Sequence, residues 1–191
     1  MQSSKYLCGK THLINEYIDL LTKWNEVVGL VQHDSLNDVF GRHIEDSVQL
    51  CNFLSKDSLV LDIGSGAGLP GVILSVCGFE RVVLCENNRK KIVFLQEVAR
   101  KLQCKFEIFG DSIYNFNGEG YTAVSRGFGS LSVLLDVMLK ISCVKGVFHK
   151  GETHMKEIEE AQVLFNFDYD VHLSETNSKS AIIIVQNIVR K

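Results

Sequence analysis

From Lys56 onward, short uninterrupted apolar runs alternate with longer amphipathic ones, and that alternation leaves the chain very few architectures. "LVLDI" (59–63), "RVVLCE" (81–86), "KFEIFG" (105–110), "YTAVS" (121–125) and "KGVFHK" (145–150) have the length and continuous hydrophobicity of strands buried on both faces. Between them, 67–76, 88–102, 130–141 and 152–163 read as helices, while 111–117 has room for no more than one turn. Strand–helix–strand units cross over right-handed, so the pattern predicts an α/β fold, a mostly parallel sheet with helices on both faces. "FNFDYDVHL" and "AIIIVQNIV" follow with no helix between them and predict a C-terminal antiparallel hairpin at the sheet edge.

Two helices precede anything strand-like. From Thr11 to Val28 the residues Leu13, Tyr17, Leu20, Leu21, Trp24, Val27 and Val28 recur at spacings of three and four, and Gly29 is placed to end the helix. A second pattern runs from about Ser35 to Leu54, with Leu36, Val39, Phe40, Ile44, Leu50 and Cys51 on its apolar face. A chain of 191 residues with 46% hydrophobic content can bury one good core, so a single domain is expected, with 1–57 as an N-terminal helical cap on a core of 58–191.

Composition narrows the function classes. The six cysteines form no C-x-x-C pair and sit mostly among apolar neighbours, as free thiols of a reducing compartment do. His149 and His154 are five apart, off the spacing of a two-histidine helical site, so no metal is expected. "MQSSKYLCGK" lacks the apolar run, about 7–15 residues, of a signal peptide, and the expectation is a soluble cytoplasmic protein without membrane partners. The net charge of −3 neither supports nor excludes an RNA partner.

The stretch "VLDIGSGAGLPG", Val60 to Gly71, joins the first strand to the first helix of the core and holds four glycines and the only proline. Such a turn lets backbone approach a ligand at a helix N-terminus, and Pro70 suits the first helical turn. Gly66, Gly68 and Gly71 spell the dinucleotide pattern G-x-G-x-x-G, while Asp62, Gly64, Gly66 and Gly68 spell D-x-G-x-G-x-G. Glu86 closes the second strand, 22 residues after Gly64, where an acid can accept hydrogen bonds from both hydroxyls of a ribose. A carboxylate at Asp62 would repel a pyrophosphate and welcome the ammonium of a methionine tail, which favours S-adenosylmethionine over NAD.

The acceptor is narrowed by what the chain lacks. There is no Pro-Pro of the adenine amino-methylating loop, and no Pro-Cys or Thr-Cys of cytosine C5 chemistry. After the fourth strand stands "SRGFGS" instead, Ser125 to Ser130. Guanine N7 carries an exposed lone pair and needs no deprotonation, so positioning and charge complementarity could suffice. Arg126, where a strand meets the cleft, can grip a phosphate or a base edge, and Lys150 at the end of the fifth strand offers the same choice. Arg89, Lys90, Lys91, Arg100 and Lys101 read as the wet face of one helix.

"GSGAGLPG" followed by "ENNRKKIVFLQEVARKL", "SRGF" and "HKG", with "KWN" and "RHIEDS" upstream, resembles the bacterial RsmG family, also called GidB, from about Thr22 through Gly151. The resemblance implies a class I methyltransferase (Rossmann-like) fold with N-terminal helices. It implies methyl transfer from S-adenosylmethionine to N7 of a guanine in 16S ribosomal RNA, naked or in the assembling small subunit, by a protein expected to be a monomer. Carried over by position, Gly64, Leu69, Ser112, Ile113 and Arg126 line the cofactor or its border with the substrate, beside Asp62, Gly66, Gly68 and Glu86. Arg42, His43, Asp46 and Ser47 match the upstream motif, and His43 and Ser47, at i and i+4, share a helix face expected to turn toward the cleft. Arg126, His43 and Lys150 are thus the candidate catalytic residues. The chain departs from the family pattern at Gly29-Leu30-Val31, at Ile113, which leaves any adenine contact there to backbone, at Gly127, and around Lys179. A methyltransferase on another RNA or a small molecule, a NAD-binding protein and a non-catalytic ribosome-assembly or RNA-binding module are the rival readings.

Overall fold

A computed structural model describes residues 4–191. Seven strands form one sheet, β1 (Val60–Ile63), β2 (Val82–Cys85), β3 (Glu107–Phe109), β4 (Thr122–Arg126), β5 (Lys145–Lys150), β6 (Phe165–Leu173) and β7 (Ala181–Arg190). Their order is β3-β2-β1-β4-β5-β7-β6. The first five run parallel, β7 lies antiparallel to β5, and β6 pairs with β7 as the outer strand of the hairpin. The expected α/β sheet with its antiparallel C-terminal hairpin is therefore present.

The continuous apolar strands serve two cores at once. Along β2, Val82 and Leu84 join the core beneath one face, and Val83 and Cys85 join the other. The first core holds α2 (Thr11–Val28), α4 (Gly71–Val76) and α5 (Arg89–Leu102). The second holds α6 (Leu131–Lys140) and α7 (His154–Leu164). In α5 the residues Phe94, Leu95, Val98 and Leu102 are the buried stripe, and Asn88 caps its start by accepting from the Lys90 and Lys91 amides at 3.0 and 3.3 Å. Trp24 of α2 meets Phe94 at 5.8 Å between ring centroids, which ties the N-terminal helices to the sheet's own helix layer.

Three expectations need correction. Val27 is 77% exposed, because the buried seam of α2 is Ile14, Tyr17 and Leu21 and lies on another side of the helix. The second helix is not one regular helix. After a short α1 (Ser4–Leu7) and α2, the chain passes through 3₁₀ turns (His33–Asp38), a π turn (Phe40–Glu45), α3 (Asp46–Val48) and another 3₁₀ stretch (Gln49–Phe53). Its side chains compete for the backbone: Asp38 accepts from the Gly41 amide at 2.9 Å and Ser47 donates to the His43 carbonyl at 2.7 Å. The helix expected from residue 67 begins at Gly71, since Gly66 and Gly68 have φ of +56° and +83° and cannot be helical, and Pro70 stands just before it.

Phe94→Ala should cost about 3–5 kcal/mol of stability through the cavity it leaves under α2, read as a shift in the denaturant midpoint at unchanged slope.

Candidate active site

The glycine turn sits at the C-terminal end of β1, where the crevice of a parallel sheet opens. Two acids hold its backbone. Asp62, fully buried on β1, accepts from the Gly71 amide through Oδ2 at 2.9 Å. Glu86 follows β2 and accepts from the Gly66 amide at 2.9 Å and the Asn88 amide at 2.8 Å. From the helical cap, the buried Tyr17 hydroxyl donates to the Ala67 carbonyl at 2.8 Å. Burial pushes the Asp62 carboxyl up to about 7; the Gly71 amide and Ser65 pull the other way, and Glu86 adds to the rise. Its Oδ1 is buried with no hydrogen-bond partner.

The opposite wall comes from the cap and the tip of β4. Arg126 donates from Nη2 to the Arg42 carbonyl at 2.8 Å and sets Nε 3.3 Å from Asp46 Oδ2. Asp46 Oδ1 also accepts from Thr176 at 2.6 Å and stands 2.8 Å from His149 Nε2. Burial opposes ionisation of Asp46, yet His149, Arg126 and Thr176 together hold its carboxyl below the usual range. His43, 5% exposed, places Nε2 2.7 Å from Ser35 Oγ. The Ser35 hydroxyl itself donates to the Gln32 carbonyl at 2.5 Å, so its oxygen accepts from the imidazole and Nδ1 is left bare. Burial, then Arg126 and Arg42, press the imidazole down to about 4. A cleft of about 380 Å³ lies between the walls, lined by Leu30, Val31 and Gln32 after α2, by Ser35, Arg42 and His43, by Gly64 to Ala67 and Leu69 of the turn, and by Lys91, Arg126 and Gly127.

Residues 10–185 match the GidB family, rRNA small subunit methyltransferase G. A relative called ribosomal RNA small subunit methyltransferase G from Orientia tsutsugamushi (strain Ikeda) is 36% identical over 173 residues, 90% of this chain and 87% of that protein. One of the same description from Rickettsia akari (strain Hartford) is 30% identical over 192 residues, 100% of this chain and 99% of that protein. The chain belongs to the GidB family. Solved structures share its fold: magnesium protoporphyrin IX methyltransferase from Synechocystis with bound SAM (TM-score 0.61, 16% identity, 87% of this chain and 90% of that one), and M. jannaschii TYW2 in complex with AdoMet (TM-score 0.57, 14% identity, 78% and 76%).

Of the residues that the sequence pointed to in this GidB protein, Gly64, Gly66, Leu69, His43 and Arg126 line the cleft. Asp62 and Glu86 lie behind the turn as its supports, and Gly68 is turned into the core, where a Cβ would strike Val72 at 2.4 Å. Ser112 and Ile113 are not among the lining residues. Ser112 caps a single 3₁₀ turn, Ile113–Asn115, and Ile113 is buried in the second core. Lys150, expected at the cleft, is 6% exposed and spent elsewhere, on the Gly129 carbonyl at 2.8 Å and Glu157 at 2.9 Å. Lys91 corrects the reading of its helix as a wet face throughout: standing in the first turn of α5, it reaches the cleft. Sequence reasoning missed Tyr17 and Ser35, which look like an ordinary apolar position and a helix start. Asn25 of "KWN" accepts the Leu30 and Val31 amides at 2.7 and 2.8 Å and so shapes the cleft's rim. Among the described residues, no group of three or more His, Cys, Asp and Glu could hold a metal, and no helix is long and apolar enough to cross a membrane.

The His43 imidazole takes a proton near pH 6.5 when unfolded and only near 4 when folded. The unfolded chain therefore binds more protons between these values, and stability falls as pH drops through that window. His43→Gln should flatten this limb of the Tm-against-pH curve; an unchanged slope would place the acid sensitivity elsewhere.

Proposed function

We propose that this protein, acting as a monomer, transfers the methyl group of S-adenosylmethionine to N7 of a guanine in 16S ribosomal RNA. The observation that carries this reading is the chemistry of the cleft lining, which contains two arginines, a lysine and a histidine but no cysteine and no carboxylate. C5 methylation of a pyrimidine needs a nucleophile, and methylation of an exocyclic amine is helped by an acceptor for its proton. N7 presents a lone pair that needs neither. His43, held neutral by burial and by two guanidinium groups, is a weak base and acts by position.

The residues present fit the methyl donor. The orphaned Oδ1 of Asp62 gives an ammonium a buried partner, and such a partner would return that carboxyl to its charged form. Glu86 uses one direction of Oε2 on the Gly66 amide and one of Oε1 on the Asn88 amide, which leaves lone pairs for two ribose hydroxyls. Leu69 and Ala67 supply apolar surface to the floor, and the backbone of Gly64 and Gly66 lets a ligand approach closely. When bound, S-adenosylmethionine supplies an electrophilic methyl on a sulfonium. As N7 accepts that methyl, positive charge passes from sulfur to the base, so the protein's work is orientation and charge balance. Asp46 holds the Arg126 guanidinium against the cap at the border of the two substrates, where it can position the RNA. The relatives' description as small subunit rRNA methyltransferases supports the ribosomal substrate.

Labelled S-adenosylmethionine and small-subunit RNA from a strain lacking the modification should give label at guanine N7, and no label when that guanine is replaced by 7-deazaguanine. Transfer to another atom, with the protein folded and cofactor bound, would overturn the acceptor assignment. Asp62→Asn should weaken S-adenosylhomocysteine binding at least tenfold, about 1.4 kcal/mol, by calorimetry. Binding of NAD in the same experiment would favour the dinucleotide reading.

A further inference from the structure

Beyond Arg126 lies a second cavity of about 270 Å³ that shares Arg42, Arg126 and Gly127 with the cleft and is closed by His149, Gly151 and the hairpin loop. The loop, residues 174–180, is seated by the cap more than 120 residues away in sequence. Gln49 accepts from the Glu175 amide at 2.7 Å and donates to Ser174 and Thr176 at 3.3 Å each, while Asp46 takes the Thr176 hydroxyl. The cavity is thus assembled by long-range bonds that no strand or helix requires.

Its polar groups divide unequally. The one lining carboxylate is consumed: Asp46 faces Arg126, His149, Ser174 and Thr176. What remains is donor-rich. Arg126 Nη1 is buried with no partner. The exposed Arg42 guanidinium touches only the Asp34 carbonyl, at 3.4 Å, and Asn177 and Ser180 add an amide and a hydroxyl. Two guanidinium groups with their carboxylate already engaged select an oxyanion that can accept several hydrogen bonds. The cofactor's own carboxylate is one source of such a group and an RNA phosphodiester is another. The position favours the second, because the glycine turn and its ligand are on the far side of Arg126.

Resting on the RNA reading above, we propose that this cavity binds a backbone phosphate at or beside the nucleotide being methylated, with Arg42 and Arg126 as its cationic ligands. One arginine then both borders the methyl donor and holds the acceptor strand, so the target base is set by a phosphate one wall away. The hairpin loop becomes part of RNA recognition and not merely a sheet edge.

Asn177→Asp tests this with minimal disturbance. Asn177 lines this cavity and not the cleft, and its Oδ1 accepts from the Lys179 amide at 3.0 Å, a bond that aspartate keeps. At low ionic strength the variant should bind a target-bearing RNA fragment about three- to fivefold more weakly, from one added charge near a phosphate in water, with S-adenosylhomocysteine binding unmoved. A scan of single methylphosphonates around the target guanine should contain one neutral linkage that weakens the natural protein and erases the Asn177→Asp penalty. A penalty that survives every neutral linkage would overturn the proposal, and so would loss of S-adenosylhomocysteine affinity in the variant, which would give the cavity to the cofactor. Failure of the functional reading shows separately, as absence of methyl transfer to RNA by the unaltered protein.

Discussion

Two carboxylates, one on the first strand and one just after the second, fasten the backbone of a turn in which every second residue from Gly64 to Gly68 is a glycine. Asp62 holds the Gly71 amide and Glu86 the Gly66 amide, and Tyr17 restrains the same turn from the opposite side through Ala67. A turn with several residues at positive φ has many alternative conformations when unfolded, and fixing it costs entropy that tertiary hydrogen bonds must offset. The cap therefore belongs to the proposed cofactor site as much as to the core. Removing α2 would take away a bond to the turn as well as the apolar seam of Ile14, Tyr17 and Leu21.

Asp46 performs the corresponding task for the other wall. It gathers Arg126 from β4, His149 from β5 and Thr176 from the hairpin loop around one carboxylate. A buried ion pair of this kind is weak evidence for stability, since desolvation cancels much of the attraction. Its value here is geometric: it fixes where the guanidinium stands between the cleft and the second cavity. The irregular helix that carries Asp46 fits the same purpose, because a π turn changes which residues face the sheet and brings Arg42, His43 and Asp46 to one border.

The sheet was legible because its signal is redundant: five short runs, all but the edge strand β3 largely buried, alternate with helices and so leave little choice but a parallel sheet. The turn and its acids were legible for a related reason, as Asp62 and Glu86 occupy strand ends that topology alone brings beside the glycines. The irregular helix was not, because its apolar spacing resembles an ordinary helix and the competing bonds of Asp38, Ser47 and Ser35 depend on partners that only folding supplies. Lys150 misled for the opposite reason. A lysine at a strand end points to the crevice in sequence, yet Glu157 and the Gly129 carbonyl provide a buried partner and draw it into the structure beneath the post-β4 loop. Lys91 was hidden among four other basic residues, two of them in the same first turn of α5, and only its side chain reaches toward the glycine turn, with Nζ 4.0 Å from where a Cβ on Gly66 would stand.

The net charge of −3 and the proposed RNA partner agree once the charges are placed. Asp46, Asp62, Glu86 and Glu157 are engaged with the protein's own amides, hydroxyls and cations, so much of their field is neutralised where it arises. Arg42, Lys91 and Arg126 border the cleft, which has no acid in its lining. A formal count weighs these groups equally, whereas an approaching phosphate experiences those within about a Debye length, roughly 8 Å at physiological ionic strength. Local polarity can therefore be positive on an acidic protein. A small basic cleft on an acidic surface binds nonspecific RNA weakly, because few phosphates can be neutralised at once, and selectivity must then come from the few contacts that the cap, β4 and the hairpin loop hold in register.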